Sequence, residues 1–198
     1  MRFSPLLDQL IEALRCLPGV GKKTAERMAL YLLTRDRENG KRLAEHLLQA
    51  MTKISHCQSC RIFSETPCCE ICSSPQRDHT IRCIVENPID VTMIEQTGSY
   101  KGKYFVLLGR LSPLDGIGPD DIGLPHLKSH LEQGEIHELI LATNPTVEGE
   151  ATAHYISTLA KQYRIKVTRI AQGVPKGCEL EYVDSSTITL AMTSREEI

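Results

Sequence analysis

Apolar positions recur at helical spacing in the first quarter of the chain and at strand spacing beyond it. Ser4-Pro5 offers a capping hydroxyl followed by Pro at a first helical position. Leu6, Leu7, Leu10, Ile11 and Leu14 then share one helical face. The pattern breaks at Leu17-Pro18-Gly19-Val20-Gly21. A second helix is predicted from about Lys22, with Ala25, Met28, Ala29, Leu32 and Leu33 inward. A third is predicted from about Arg37 to Ile54, with Leu43, Leu47, Leu48, Met51 and Ile54 inward. Residues 1–54 thus read as a small helical hairpin module.

A cysteine-rich stretch follows over 55–78, and Ser73-Ser74-Pro75-Gln76-Arg77-Asp78 reads as its exit linker. From 79 onward strands and helices alternate. Ile81–Val85, Tyr104–Leu108, Leu139–Thr143 and Lys166–Ile170 read as strands. Helices are predicted from Pro88 through Ile94, around Leu127–Leu131, and from about Glu150 to Tyr163. A long Gly/Pro-rich loop, Leu111–Gly123, precedes the second of these helices. Such alternation predicts a mostly parallel sheet with helices on both faces. The fold class is mixed α/β, with an α/β domain over 79–175 and a C-terminal segment over 176–198. In that tail Thr187–Met192 alternates apolar and polar residues, a strand-like run that would pair with its own sheet or a neighbour's.

A chain of 198 residues holds one ordinary domain plus small modules. A net charge of −2 argues against a strongly basic, free-standing nucleic-acid binder, but leaves room for a local basic patch. With no Trp and three Phe, a row of aromatic platforms for single-stranded bases is not expected. No run is long enough to span a membrane, and the start lacks the apolar core of a signal peptide. A reducing, cytoplasmic compartment is the expectation.

Cys57, Cys60, Cys69 and Cys72 form two C-x-x-C pairs. Two pairs supply the four thiolates of a closed tetrahedral site, with no position left for a reacting water. One structural Zn²⁺ per chain is expected, its binding energy folding a stretch too small to bury a core. Cys68 reads as a spectator, because Cys69-x-x-Cys72 repeats the spacing of the first pair. Cys16, Cys83 and Cys178 are expected to be small buried hydrophobes.

The glycine turn carries a second chemistry. Gly19 and Gly21 would expose backbone N–H groups at the start of the second helix, where the helix dipole suits a phosphate. Lys22, Lys23 and Arg27 add positive charge. Contacts of this kind position DNA without reading its sequence. The segment resembles the helix-hairpin-helix motif of DNA-repair proteins. It is not a P-loop, because the lysines lack the required glycine spacing and strand context.

Acidic residues gather at predicted strand ends: Glu86, Asp90, and Glu148 and Glu150 within Thr143-Asn144-Pro145-Thr146-Val147-Glu148-Gly149-Glu150. This set resembles the Toprim domain of type IA topoisomerases and primases. That pattern has a Glu after its first strand, matched by Glu86, and a final Glu-Gly-Glu, matched by Glu148 and Glu150. Its Asp-x-Asp positions are Asn144 and Thr146 here. Two metal-holding charges are therefore missing, and no tyrosine stands out as a covalent nucleophile. A weak Mg²⁺ site or an acidic docking face for a partner is expected, and a Mg²⁺-dependent nuclease or topoisomerase is the alternative.

The order of modules resembles the bacterial RecR family of recombination mediators. The resemblance rests on the Leu17–Gly21 turn, the four cysteines, Leu111-Ser112-Pro113-Leu114-Asp115-Gly116-Ile117-Gly118-Pro119, the Ala142–Glu150 stretch, Gly173-Val174-Pro175 and Glu179-Leu180-Glu181-Tyr182. Cys178 departs from it, standing where the family usually has a small residue. The resemblance implies a non-enzymatic mediator of DNA repair and recombination, associated with the nucleoid. It implies a homo-oligomeric clamp, dimer to tetramer ring, closed by the C-terminal segment. Such a clamp binds single- and double-stranded DNA without sequence preference. It works with RecO, and in some settings RecF, to help load RecA onto gapped DNA or DNA coated by single-strand-binding protein. A purely protein-binding adaptor with a vestigial hairpin is the remaining reading.

Overall fold

The structure is a computed structural model that describes residues 4–195. The sequence expectations for 1–3 and for 196–198 of the C-terminal segment lie outside the described residues. The chain divides into two compact units, one ending at Ile54 and one beginning at Ser55.

The first unit holds three helices: α1 (Pro5–Leu14), α2 (Lys22–Arg35) and α3 (Arg37–Lys53). Ser4 caps α1 through its side chain, which accepts from the Leu7 N–H at 3.4 Å. Asp36 caps α3 in the same way, accepting from Asn39. Ile11, Ala25 and Ala29 form the small core, with Leu7, Leu10, Leu14 and Val20 packed around it. The alanines let α1 and α2 approach closely.

One expectation fails here. α3 buries no residue, and Leu47, Leu48 and Met51 are 58, 69 and 73% exposed. Leu43 and Ile54 are exposed as well, and so is Met28 on α2. Helical periodicity reports that a face is apolar, not which surface covers it. Within the described residues of the first unit nothing covers this one.

The second unit opens with a two-stranded antiparallel hairpin, β1 (Ser55–His56) with β2 (Phe63–Ser64), and a one-turn helix α4 (Glu70–Ser73). Four parallel strands follow: β3 (Asp78–Val85), β4 (Gly102–Val106), β5 (Glu138–Ala142) and β6 (Lys166–Arg169), in the order β4-β3-β5-β6. Helices α5 (Pro88–Gln96), α6 (Leu124–Glu132) and α7 (Val147–Lys161) connect them.

Alternation along the strands separates two cores. Ile84, Phe105, Leu107, Leu139 and Leu141 point to one face and pack with Leu127 and Leu131 of α6 and Ile156 of α7. Cys83, Val85, Tyr104 and Val106 point to the other, against Val91 of α5. Helices do flank both faces, but the second is shared: the four buried cysteines complete that core. The knuckle is therefore part of the sheet's packing. It is pinned there by the Val106 N–H, which donates to the Cys60 carbonyl at 2.8 Å. Arg77 and Glu95 form an ion pair beside this core, and the Tyr104 hydroxyl donates to Glu95.

The tail corrects a second expectation. Its alternating run lies in a helix, α8 (Ser185–Thr193), not a strand. Asp184 caps it, accepting from the Thr187 N–H at 3.0 Å. Thr189 and Thr193 return their hydroxyls to the carbonyls of Ser185 and Thr189. The Asp184 cap outweighs the β-propensity of Thr187 and Ile188.

Candidate nucleic-acid interface and metal centre

The turn between α1 and α2 is built on Gly19, whose φ of +78° suits glycine. Gly21 is the N-cap of α2, and no side chain caps that helix. The first N–H groups of α2 consequently have neither an intrahelical nor a side-chain acceptor. No acidic residue occupies the first turn. A Cβ at Gly19 or Gly21 would meet nothing within 4 Å, so the backbone there is open to close approach. Lys22, Lys23 and Arg27 are exposed, and Lys23 and Arg27 lie one helical turn apart. The structure thus gathers all five residues singled out in the sequence at one corner of the first unit. Open N–H donors, the positive end of a dipole and flexible cations suit a phosphate.

The cysteines converge more tightly. The sulfurs of Cys57, Cys60, Cys69 and Cys72 all lie within 4.8 Å of one another, and all four residues are buried. The Cys69 N–H donates to the Cys57 sulfur at 3.3 Å. Without a cation the four cannot share one charge state. Burial pushes Cys69 up to about 11, while a hydrogen bond from Cys60 draws Cys72 down to about 5. A divalent cation removes this conflict by holding every sulfur as thiolate. The donor set therefore fits a structural metal.

Cys68 is exposed and outside the quartet. Of the three scattered cysteines only Cys83 is a buried hydrophobe, with burial pushing its thiol up to about 12. Cys16 and Cys178 are exposed, contrary to expectation. Cys16 lies just past the end of α1 and Cys178 in the irregular segment before α8, and neither position faces a core.

Arg61, the residue after Cys60, had no signal in the sequence. Its backbone takes φ +65°, and its guanidinium donates to the carbonyls of Leu107 and Ile122 at 3.0 and 2.5 Å. It fills the space that a Cβ on Gly123 would need. The cysteine knuckle and the far end of the Leu111–Gly123 loop are joined by this one side chain.

The acidic set is arranged quite differently from the cysteines. β3 and β5 are neighbours with Val85 opposite Ala142, so Glu86 and Asn144 emerge near each other. Glu86 is 2% exposed. Its Oε1 accepts from the Asn144 backbone N–H at 2.8 Å, and its Oε2 accepts from the Asn144 side-chain amide at 2.7 Å. Asp90 accepts from the Asn87 N–H and caps α5. Glu150 pairs with Arg169 at 2.6 Å, which holds its carboxyl below the usual range. Thr146 caps α7, accepting from the Gly149 N–H at 3.1 Å. Among the described residues, the cysteine quartet is the only group of three or more His, Cys, Asp or Glu ligands close enough to hold an ion. Glu86, Asp90, Glu148 and Glu150 form no such group, and Glu86, Asp90 and Glu150 have hydrogen-bond or ion-pair partners within the chain.

A further polar cluster sits on the opposite face of the sheet. Arg82 is buried in β3 and donates to His130 Nδ1 at 2.6 Å. Burial, and then the Arg82 charge, push His130 down to about 4.

Comparison with known families agrees with this geometry. Residues 81–171 match the Toprim domain, and residues 7–51 match a model described as RecR, helix-hairpin-helix. The chain is thus a helix-hairpin-helix and Toprim protein with a four-cysteine cluster between the two matched segments. That combination matches the architecture of RecR. No helix among the described residues is long and apolar enough to cross a membrane.

Proposed function

We propose that the protein is a non-enzymatic DNA clamp of repair and recombination. It binds single- and double-stranded DNA through the α1–α2 turn, without sequence preference. The observation that carries this reading is the uncapped start of α2 beside the open Gly19–Gly21 backbone, with Lys22, Lys23 and Arg27 exposed around it. One such corner offers few phosphate contacts, and the chain as a whole carries a net charge of −2. Affinity then comes from several corners acting together in a homo-oligomer, dimer to tetramer ring, through effective concentration. The bare apolar face of α3 supports self-association of the first unit. The segment 176–198 is assigned to ring closure.

The metal is Zn²⁺, one per chain, held by Cys57, Cys60, Cys69 and Cys72 and serving to fold the knuckle. The family resemblance extends the reading to partners. The protein works with RecO, and in some settings RecF, to load RecA onto gapped or protein-coated DNA in the cytoplasm, near the nucleoid. The acidic end of the sheet, Glu86, Asp90, Glu148 and Glu150, is the face offered to a basic patch on RecO. Negative charge there repels DNA and suits a cationic protein surface. Of the four, Glu150 is exposed, Asp90 and Glu148 are half-buried and Glu86 is buried.

The test is complex formation by Glu148→Lys/Glu150→Lys alongside DNA binding by Lys22→Ala/Lys23→Ala/Arg27→Ala. The first variant loses RecO and keeps DNA, and the second does the reverse. If both variants keep both partners, the assignment of surfaces is wrong.

A further inference from the structure

We infer that the Toprim-type strand end of this chain is a cation-free joint. In it the Asn144 amide occupies the role that a divalent cation plays beside an acidic pair.

A buried carboxylate needs compensation from a cation or from hydrogen-bond donors. Glu86 is compensated wholly from within. One residue, Asn144, reaches both of its oxygens, with the backbone N–H on one and the side-chain amide on the other. The start of α7 packs against the buried Glu86 and the Asn144 carbonyl, while Asn144 itself is exposed. A Cβ placed on Gly149 would sit 2.1 Å from the Asn144 carbonyl oxygen and 3.0 Å from Glu86 Oε1. Space at this point is taken up by backbone.

The surrounding residues are committed too. The Thr146 hydroxyl caps α7, Asp90 caps α5, and Glu150 is paired with Arg169. The Gly109 N–H donates to the Glu86 carbonyl at 3.2 Å, tying the strand end to the loop after β4. An aspartate at position 144 would reverse the logic. Two carboxylates would then face each other at hydrogen-bond distance, and a hard cation with oxygen ligands would be the way to hold both ionised. Aspartate at 146 keeps the cap, since Asp serves at an N-cap as well as Thr. Two substitutions therefore separate a joint from a metal site, and the difference lies in one amide more than in the fold.

This inference deepens the non-enzymatic reading and rests on it only at this strand end. DNA binding plays no part in its test, so the two readings fail separately. The measurement is Mn²⁺ uptake by the full chain, followed by electron paramagnetic resonance of the free ion, with the cysteine site preloaded with Zn²⁺. Wild type, Glu86→Gln, Asn144→Asp/Thr146→Asp, and that double variant carrying Glu86→Gln are compared. Wild type and Glu86→Gln are expected to leave the free Mn²⁺ signal equally unchanged. The double variant takes up about one ion per chain, and Glu86→Gln abolishes that uptake. Uptake by wild type that Glu86→Gln removes would overturn the inference. So would a folded double variant, checked by circular dichroism, that takes up none. If the double variant does not fold, Asn144→Asp alone, with the Thr146 cap intact, replaces it under the same two outcomes.

Discussion

At the scale of single residues, the molecule's polar interior is held by a few exact pairings. Gly149 is fixed by the Asn144 carbonyl beneath it. Gly149→Ala is expected to destabilise the chain by about 1–3 kcal/mol through overpacking, seen as a lower denaturation midpoint at unchanged far-UV signal. His130 gives a pH signature. Its folded value of about 4 lies below the ordinary histidine value of about 6.5. The unfolded chain therefore takes up a proton that the folded one refuses, and stability is lost as pH falls from about 6.5 towards 4. Urea midpoints for wild type should drop across that window more than those of His130→Gln. Equal slopes would mean that burial of His130 does not exclude the proton. Sequence alone showed that Asn144 and Thr146 lack charge. Their positive tasks were hidden, because the Asn144–Glu86 contact spans fifty-eight positions and depends on strand order. Arg82 and His130 were hidden for the same reason.

At the scale of elements, the knuckle is both a cysteine cluster fit for a metal and a piece of core. Its cysteines pack with Val85, Tyr104 and Val106, and Arg61 carries it to the loop carbonyls. Removing the metal with a strong chelator should therefore raise amide exchange beyond 55–78. The Val106 N–H, bonded to the Cys60 carbonyl, should lose protection first. Exchange confined to the knuckle would show that the sheet keeps its packing without the ion. The α/β alternation, the strand positions and the cysteine quartet were all legible, since each rests on local spacing. The tail was misread because period-two alternation and a capped helix compete in so short a run. There the Asp184 cap, not the apolar pattern, decides. Asp184→Ala should cost α8 about 1 kcal/mol, visible as faster exchange confined to 185–193.

At the scale of the whole molecule, the apolar face of α3 and the basic corner of α2 belong to one unit. Leu43, Leu47, Leu48 and Met51 were legible as an apolar stripe, but a single sequence does not say whether the chain or a copy covers it. Leu47→Glu/Leu48→Glu is expected to lower the mass found by light scattering while leaving the monomer folded. DNA affinity should fall with it, because avidity is lost. The central claim is that the corner at Gly19–Arg27 holds DNA through phosphates. The most direct measurement is DNA affinity against salt for wild type and Lys22→Ala/Lys23→Ala/Arg27→Ala, with mass checked in parallel. Each lost phosphate contact should flatten the slope of log K against log salt by about 0.9. The account predicts a weaker, flatter dependence for the variant at unchanged oligomeric mass. Equal affinity and equal slope for the two proteins would contradict it.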